Sequence, residues 1–442
     1  MSGRKALLEY VRANAVRLPG GRVDYDPLLD RIGDASLVLL GEATHGTHEF
    51  YRARAEITKR LIREKGFHAV AIEGDWPDAY RVNTYVRGMG EDADAEASLA
   101  GFKRFPVWMW RNSDVLDFVG WLRDHNERAH DDVGFYGLDL YSLYTSIDVV
   151  VRYLDRVDPE AAQRAKERYA CFDHYGGDTR RYGYSANLGL SPSCETEVVE
   201  QLLDLRRRVA EWRNEDGKVL EENVFSIEQN ARLIKNAEEY YRTMFMGASS
   251  WNRRDRHMAE TLDAIRAHLE RRVGAAKLVV WAHNSHVGDA RATEMGRAGE
   301  LNIGQLAREQ YGTDAVLVGF TTYEGTVTAA SDWDAPSERK AVRSALGESY
   351  ESVFHEVGIP RFMLVLGEDA SNDPAFSVPR IERAIGVVYR PKSERSSHYF
   401  GANLTAQFDV VVHFDHTRAV EPLERTPGWV TGEPPETYPF AV

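Results

Sequence analysis

The sequence predicts an α/β fold with a mainly parallel sheet, crossover helices and a large helical insertion. Short apolar runs recur along the 442 residues and alternate with helical stretches, as in buried parallel strands joined by crossover helices. Between residues 141 and 273 the apolar runs disappear and helical periodicity continues. We therefore expect one catalytic unit, in which an α/β core at 1–140 and 274–417 carries a helical insertion at 141–273, followed by an extended proline-rich tail at 418–442.

Eight apolar runs are the candidate strands of this sheet. They are rich in β-branched residues and are bounded by polar or glycine-containing segments, as strands are. In chain order they cover residues 36–40, 68–72, 133–137, 277–282, 315–320, 362–366, 384–389 and 408–414. Between the first two, a helical pattern at 49–66 ends on Gly66, which suits a helix C-cap. This segment predicts one complete β-α-β unit.

Four amphipathic patterns fill the predicted insertion. Apolar residues recur in them every three or four positions, with charges between, which indicates surface helices. They cover residues 146–157, 196–215, 226–245 and 256–272. The stretch 175–193 is rich in Gly, Ser and Tyr and is predicted to be a loop. Long loops in compact domains are often lids or binding segments.

The charge balance argues against polyanionic partners. The 55 Lys and Arg residues face 69 Asp and Glu residues, a net charge of −14, which repels nucleic-acid phosphates and anionic membranes. The N-terminal stretch has no uninterrupted apolar run, so we expect no signal peptide, no membrane span and a cytoplasmic location. The expected partner is a small-molecule substrate, with no nucleic acid and no membrane, while the oligomeric state stays open.

The sequence has two cysteines, Cys171 and Cys194. Two cysteines are too few for a disulfide scaffold, and their separation is not that of paired metal ligands. We therefore expect reduced thiols without a catalytic role.

Reactive residue types follow four of the candidate strands directly. The carboxyl ends of parallel strands lie on one edge of an open sheet, where ligand crevices form. Buried charges at such positions are unfavourable unless they pair with one another or with a ligand. We therefore expect these side chains to converge on one cleft roofed by the helical insertion. The residues are Glu42, His45, His48 and Glu49 after the first strand, Glu73 and Asp75 after the second, Asp139 after the third, and His283 and His286 after the fourth.

The signatures of several common mechanisms are missing from the sequence. It contains no G-x-S-x-G, and the nearest fragment, at 183–187, lacks the last glycine and follows no strand. It also contains neither G-x-x-x-x-G-K-[ST] nor G-x-G-x-x-G. The run HGTHE at 45–49 is neither H-E-x-x-H nor H-x-x-E-H. A serine nucleophile elbow, the common phosphate-binding loops and a zincin motif are thereby disfavoured.

The same residues lie in blocks by which the chain resembles the erythromycin esterase family. The blocks are LLGEATHGTHEFYRARAEITKRLIREKGF at 39–67, AIEGDWPDAYRVNTYVRG at 71–88, FYGLDLY at 135–141, RDRHMAE at 254–260, WAHNSHVGD at 281–289, SERSSHYF at 393–400 and QFD at 407–409. The family includes macrolide-inactivating esterases and a housekeeping branch, which this chain resembles more. Its members have a mixed α/β core with a largely helical insertion.

The resemblance implies metal-independent hydrolysis of an ester or lactone, with no cofactor. By motif, His45 is the general base that takes a proton from water, a role suited to an imidazole near neutral pH. Glu42 and Glu73 would orient the water or the imidazole. The remaining catalytic positions are His283, His286 and Arg54, and a protonated second histidine or Arg54 would stabilise the tetrahedral oxyanion.

Further residues in or beside these blocks are expected to bind substrate or to support the catalytic residues. The alternative is a purely structural role, in which these residues only pair with each other or begin a helix. They are His48, Asp75, Asp139, Arg254, Asp255 and His398.

Two other functions remain open from the sequence. The first is a metal-dependent hydrolase, since mixed His and carboxylate sets suit zinc, iron or manganese. Its ligands would be Glu42, His45, Glu73, His283 and His286. The second is a ligand-binding protein without turnover, which the large inventory of acids and bases disfavours.

Overall fold

The computed structural model describes residues 2–18, 25–212, 218–245 and 250–432. The strands in these ranges are β1 (Val16–Arg17), β2 (Leu37–Leu40), β3 (Ala69–Asp75), β4 (Gly134–Asp139), β5 (Leu278–Trp281), β6 (Ala315–Ala329), β7 (Glu338–Val342), β8 (Arg361–Val365), β9 (Arg380–Arg383), β10 (Tyr399–Ala402) and β11 (Val410–Thr417). Seven of the eight predicted strands are confirmed, as β2, β3, β4, β5, β6, β8 and β11.

Helices connect most of these strands along the chain. They are α1 (Ser2–Asn14), α2 (Asp26–Ile32), α3 (His48–Lys65), α4 (Trp76–Val86), α5 (Ala95–Leu99), α6 (Ser113–Ala129), α7 (Leu143–Val157), α8 (Pro159–Tyr169), α9 (Thr179–Asn187), α10 (Glu195–Trp212), α11 (Lys218–Thr243), α12 (Ser250–Val273), α13 (Asn284–Val287), α14 (Glu294–Arg297), α15 (Ile303–Tyr311), α16 (Tyr350–Glu356), α17 (Glu368–Asn372), α18 (Glu394–Ser397), α19 (Leu404–Gln407) and α20 (Pro427–Thr431). Within the described ranges, no helix is both long enough and apolar enough to cross a bilayer.

The chain divides into two compact units. Unit 1 comprises the described residues within 1–70, 91–133 and 277–442. Unit 2 comprises those within 71–90 and 134–276. The helices α7 to α12, which occupy the segment predicted to be a helical insertion, all belong to unit 2 together with α4 and β4.

Parallel strands form the centre of unit 1. The strand order there is β1, β8, β11, β6, β2, β5, and β7 pairs with β6. β2 runs parallel to β5 and to β6, with Leu40 opposite Trp281 on one side and Val318 on the other. β6 also runs parallel to β11, whereas β8, β1 and β7 pair in antiparallel fashion. With β3 and β4 the described sheet has nine strands, so the α/β fold with a mostly parallel sheet is confirmed.

The helix α3 positions part of the candidate site and follows the sequence prediction closely. Glu49 lies in its first turn and Arg63 and Lys65 in its last, which complements the helix dipole. Gly66 adopts a left-handed conformation with φ of 67°, and its N–H donates to the carbonyl of Leu61. Glycine enters this conformation without the steric cost of a Cβ, so the helix ends there.

The predicted strand at 384–389 is wrong. Ile385 and Val388 form isolated bridges, to Thr44 and Ala330. The N–H of Ile385 donates to the carbonyl of Ala43 at 2.8 Å, and its carbonyl accepts from the N–H of His45 at 3.3 Å. This segment therefore hydrogen-bonds to the turn after β2 and does not form a strand of the β-sheet.

The predicted loop at 175–193 is also wrong in its centre, where α9 forms. The Asp178 side chain caps this helix by accepting from the N–H groups of Arg180 and Arg181, at 3.0 and 3.1 Å. Gly183, which suggested a loop, is required for packing instead. A Cβ at this position would lie 2.3 Å from the carbonyl oxygen of Tyr241 in α11.

The expectation of reduced cysteines is contradicted by a disulfide between Cys171 and Cys194. Their Cα atoms lie 5.9 Å apart although 23 residues separate them in sequence. The fold of unit 2 brings a 3₁₀ helix at Ala170–Tyr175 against the residue that precedes α10. Residue spacing alone does not reveal such a tertiary approach.

The predicted tail at 418–442 is described as far as residue 432 and includes the short helix α20. Trp429 of this helix is buried, and its Nε1–H donates to Thr328 Oγ1 at 2.8 Å. Residues 433–442 lie outside the described residues.

Candidate active site

The turn that follows β2 carries the first candidate catalytic residues. Gly41 allows this turn to approach its neighbour, since a Cβ there would lie 2.2 Å from Asn284 Oδ1. Glu42 is buried, and His45 retains 7% of its surface exposed. The Tyr51 hydroxyl donates to the carbonyl of His45 at 2.8 Å and fixes the end of the turn.

The two carboxylate oxygens of Glu42 contact two different side chains, those of His45 and Arg54. Its Oε1 lies 2.9 Å from His45 Nδ1, and its Oε2 lies 2.8 Å from Arg54 Nη2. An ionised carboxylate can only accept, so His45 Nδ1 carries a hydrogen and donates it. In the neutral imidazole the lone pair is then on Nε2.

Arg54 is held in place by aromatic rings as well as by Glu42. Its side chain has no exposed surface. Its guanidinium carbon lies 4.4 Å from the ring centroid of Tyr51 and 5.2 Å from that of Trp281, within the range of cation–π attraction. The ion pair makes this buried arginine a counter-charge for Glu42.

His283 brings a second imidazole beside His45, with ring centroids 4.8 Å apart. It caps α13, and its Nδ1 accepts from the N–H of Ser285 at 3.2 Å and lies 2.8 Å from Ser285 Oγ, whose hydroxyl can donate to it. A nitrogen that accepts a backbone N–H bears no hydrogen, so neutral His283 carries its hydrogen on Nε2. The two histidines therefore have opposite tautomers, one with a lone pair on Nε2 and one with a hydrogen there.

Asn284 joins the two turns and was not singled out from the sequence. Its N–H donates to the carbonyl of Glu42 at 2.8 Å. Its side chain donates to the carbonyl of Phe320 at 2.7 Å and accepts from the N–H of Phe320 at 3.2 Å. The available sequence signal was the position of this asparagine within the HNSH motif directly after a predicted strand, and its complete burial in the structure requires such partners.

The structure gives three other predicted residues of unit 1 their own partners. His48 Nδ1 lies 2.8 Å from Asp114 Oδ2, and Glu49 Oε2 accepts from the N–H of Arg418 at 2.8 Å. His398 Nε2 accepts from the N–H of Arg390 at 3.3 Å. His286 is buried in α13. None of the contacts described for His48, Glu49 or His398 joins them to Glu42 or His45.

Unit 2 contains a second charged cluster centred on Arg254. Arg254 Nη2 donates to Glu73 Oε1 at 2.7 Å and to Asp139 Oδ2 at 2.6 Å, and Nε donates to Asp139 Oδ1 at 3.0 Å. The guanidinium carbon lies 5.1 Å from the ring centroid of Tyr141. Such bidentate pairing is the strongest arrangement available to arginine and a carboxylate, so it fixes Glu73 and Asp139 together.

Asp75, Asp255 and His257 are further buried polar residues of unit 2. Asp75 Oδ1 accepts from the N–H of Tyr141 at 3.0 Å. Asp255 is fully buried in α12. Burial, with the Arg232 charge, lowers the pKa of His257 to about 3, and Asn236 donates to its Nδ1 at 2.9 Å. His257 is therefore neutral and structural near pH 7.

In the ranges that the structure covers, no three His, Cys, Asp or Glu side chains are arranged to hold a metal ion. The partners of the carboxylates described above are guanidinium and imidazole groups. The metal-dependent alternative therefore requires a direct test.

A protein-family model described as Erythromycin esterase matches residues 62–417 of this chain. The chain belongs to the erythromycin esterase family. The resemblance seen in the sequence is thus confirmed. The matched range includes Glu73, Arg254 and His283, whereas Glu42 and His45 precede it.

Relatives and solved structures are similar to this chain. Erythromycin esterase type II of Escherichia coli is 23% identical over 325 residues, which cover 69% of this chain and 73% of the relative. The crystal structure of a Bacillus cereus protein has a TM-score of 0.75 at 23% identity and covers 95% of this chain and 99% of its own. An erythromycin esterase mutant in its open conformation has a TM-score of 0.63 at 18% identity, covering 93% and 99%. At these identities the structural likeness shows a common fold.

Proposed function

We propose that this protein hydrolyses a carboxylic ester or lactone with a water molecule activated by His45. The observation that carries the proposal is the contact of 2.9 Å between His45 Nδ1 and Glu42 Oε1. It fixes the tautomer in which Nε2 is free of hydrogen and able to accept a proton. The arrangement is that of a carboxylate-oriented general base.

In the proposed first step, Nε2 of His45 removes a proton from water while the water oxygen attacks the carbonyl carbon. The carbonyl π electrons move to its oxygen, giving a tetrahedral oxyanion. The Nε2–H of His283 is the proposed donor to this oxyanion, since its tautomer is opposite to that of His45. In the second step the carbon–oxygen bond to the leaving group breaks, and the proton on His45 passes to the alkoxide.

Arg54 is proposed as a positioning residue. It neutralises Glu42 and, through Glu42, holds the imidazole of His45 in one orientation. Glu73 and His286 remain proposed catalytic positions on the strength of the family motifs. Asp139, Arg254, Asp75 and Asp255 are proposed to support Glu73, which the Arg254 contacts favour.

The proposed substrate class is a small neutral or weakly charged ester or lactone, and macrolide lactones are one member of it. Family membership and the name of the Escherichia coli relative support the reaction class. The net charge of −14 supports a small-molecule partner over nucleic acid or anionic membranes. We propose that the enzyme acts in the cytoplasm.

A substrate panel in ¹⁸O-water tests the reaction. The purified protein is incubated with p-nitrophenyl acetate, δ-valerolactone and erythromycin, and the products are analysed by mass spectrometry. We expect at least one compound to be cleaved with ¹⁸O in the acid and none in the alcohol, and we expect no acyl adduct on the intact protein. A covalent acyl adduct on Ser185 or another side chain, or no cleavage beyond that by a His45→Ala variant, would refute the proposal.

Metal dependence is tested on the same preparation. Elemental analysis before and after dialysis against a chelator is paired with activity on the compound that the panel identifies. We expect less than stoichiometric zinc, iron or manganese and an unchanged rate after chelation. Loss of activity on chelation that the same metal restores would favour the metal-dependent hydrolase instead.

A further inference from the structure

A cavity of about 420 Å³ lies in unit 2, within the size range of small-molecule sites. It is lined by Phe245 and by six residues between 174 and 185. None of these seven residues belongs to the catalytic positions discussed above. The segment is the one whose composition suggested a binding loop in the sequence.

The wall of this cavity is anchored to the rest of unit 2. The Tyr182 hydroxyl donates to Glu238 Oε1 at 2.6 Å and accepts from the N–H of Cys194 at 3.0 Å. Gly183 allows α9 to lie directly against the backbone of Tyr241. The disulfide from Cys171 to Cys194 closes the segment that supplies six of the seven lining residues. These contacts therefore hold α9, which forms part of the cavity wall, in place.

The polar lining is cationic and rich in hydroxyl groups. Arg180, Arg181 and His174 line the cavity, and of the described residues that line it none is acidic. The nearby Asp178 is engaged as the cap of α9. The hydroxyl of Ser185, another lining residue, lies 2.9 Å from Ser191 Oγ. Two guanidinium groups in a chain with net charge of −14 indicate a local preference for an anion.

The apolar part of the lining is aromatic and accessible. Tyr184 and Phe245 pack edge to face with ring centroids 6.1 Å apart. They keep 56% and 49% of their surfaces exposed. Large aromatic surfaces left open beside a cavity favour a ligand with an apolar body.

We propose that this cavity binds a small organic anion that combines an aromatic body with a carboxylate, sulfonate or phosphate group. The aromatic body contacts Tyr184 and Phe245, and the anionic group binds Arg180 and Arg181. The site goes beyond the proposed esterase reaction, because none of its residues takes part in that chemistry.

Fluorescence titration with 8-anilinonaphthalene-1-sulfonate tests the proposal, with uncharged N-phenyl-1-naphthylamine as the matched probe. Wild-type protein should bind the sulfonate saturably, and an Arg180→Gln/Arg181→Gln variant should bind it at least about tenfold more weakly, as expected for lost charge-assisted hydrogen bonds. Arg207→Gln, an exposed arginine of α10, is the matched control and should bind like wild type. Binding of the uncharged probe should be the same in all three proteins.

A second variant tests the aromatic contacts independently. Phe245→Ala removes an exposed ring, so the protein should keep its melting temperature while both probes bind several-fold more weakly. Equal sulfonate affinity in wild type and the double arginine variant would overturn the proposal. Equal loss for both probes in the arginine variant would overturn its anionic part.

Discussion

Oε1 of Glu42 lies 2.9 Å from Nδ1 of His45, and both side chains are buried by the turn that follows β2. This contact selects the tautomer of His45 and leaves Nε2 as its only basic nitrogen.

Replacing His45 by alanine should lower kcat on any cleaved ester by at least about a hundredfold, since a general base is lost. Glu42→Gln should also lower kcat, because an amide can donate to Nδ1 and stabilise the wrong tautomer. Steady-state kinetics and circular dichroism measure activity and folding together. His416→Ala, whose side chain is 69% exposed, is the matched control and should retain wild-type turnover. Wild-type rates in a folded His45→Ala protein would exclude the proposed base.

Arg54→Met should destabilise the protein by about 3–5 kcal/mol, because the buried Glu42 carboxylate then lacks its guanidinium partner. Denaturant unfolding gives the free energy of unfolding. The double variant Glu42→Gln/Arg54→Met should recover part of this loss, since no unpaired charge remains. Additive losses in the double variant would show that the two side chains do not stabilise each other.

Replacing both cysteines by serine should lower the free energy of unfolding by about 3 kcal/mol, the chain-entropy value for a loop of this length. The same decrease should follow when wild-type protein is treated with dithiothreitol, and kcat should stay unchanged because neither cysteine is a proposed catalyst. Thermal melts with and without reductant measure the first effect. Identical melting temperatures would show that the bond is not formed or does not stabilise unit 2.

Glu382 should make stability depend on pH. Its Oε1 accepts from Gln407 Nε2 at 3.0 Å, and burial, with Glu351 nearby, raises the pKa of Glu382 from 4.5 to about 8. Between these values the folded protein holds a proton that the unfolded chain has lost. This group's contribution is therefore fully present below pH 4.5 and falls by about 1.4 kcal/mol per pH unit up to pH 8.

Glu382→Gln should remove that slope and raise the melting temperature at pH 8 relative to wild type. The exposed Glu348→Gln variant is the control and should keep the wild-type profile. Melting temperatures of the three proteins measured from pH 5 to 8 show whether the slope depends on Glu382. A wild-type slope retained in Glu382→Gln would show that another group causes it.

Local patterns in the sequence were sufficient for much of the fold. Seven strands appear as largely apolar runs because both faces of the sheet are covered, so most of their residues are buried. Helix α3 could be bounded because Gly66 has a local conformational role. The strand predicted at 384–389 is wrong because the apolar residues of this segment are buried against a turn. Burial alone does not specify pairing with a neighbouring strand.

The sequence motifs also identified Glu42, His45, Arg54 and His283. The structure brings these four residues into contact or close approach. Only the tertiary structure decided the rest. The opposite tautomers depend on which backbone N–H or carboxylate reaches each imidazole ring. The role of Asn284 depends on the meeting of three chain segments. The disulfide depends on the fold of unit 2. The Asn284 contact and the disulfide join residues distant in sequence, and the tautomers depend on the geometry of two short turns; packing sets both, and no local pattern encodes it.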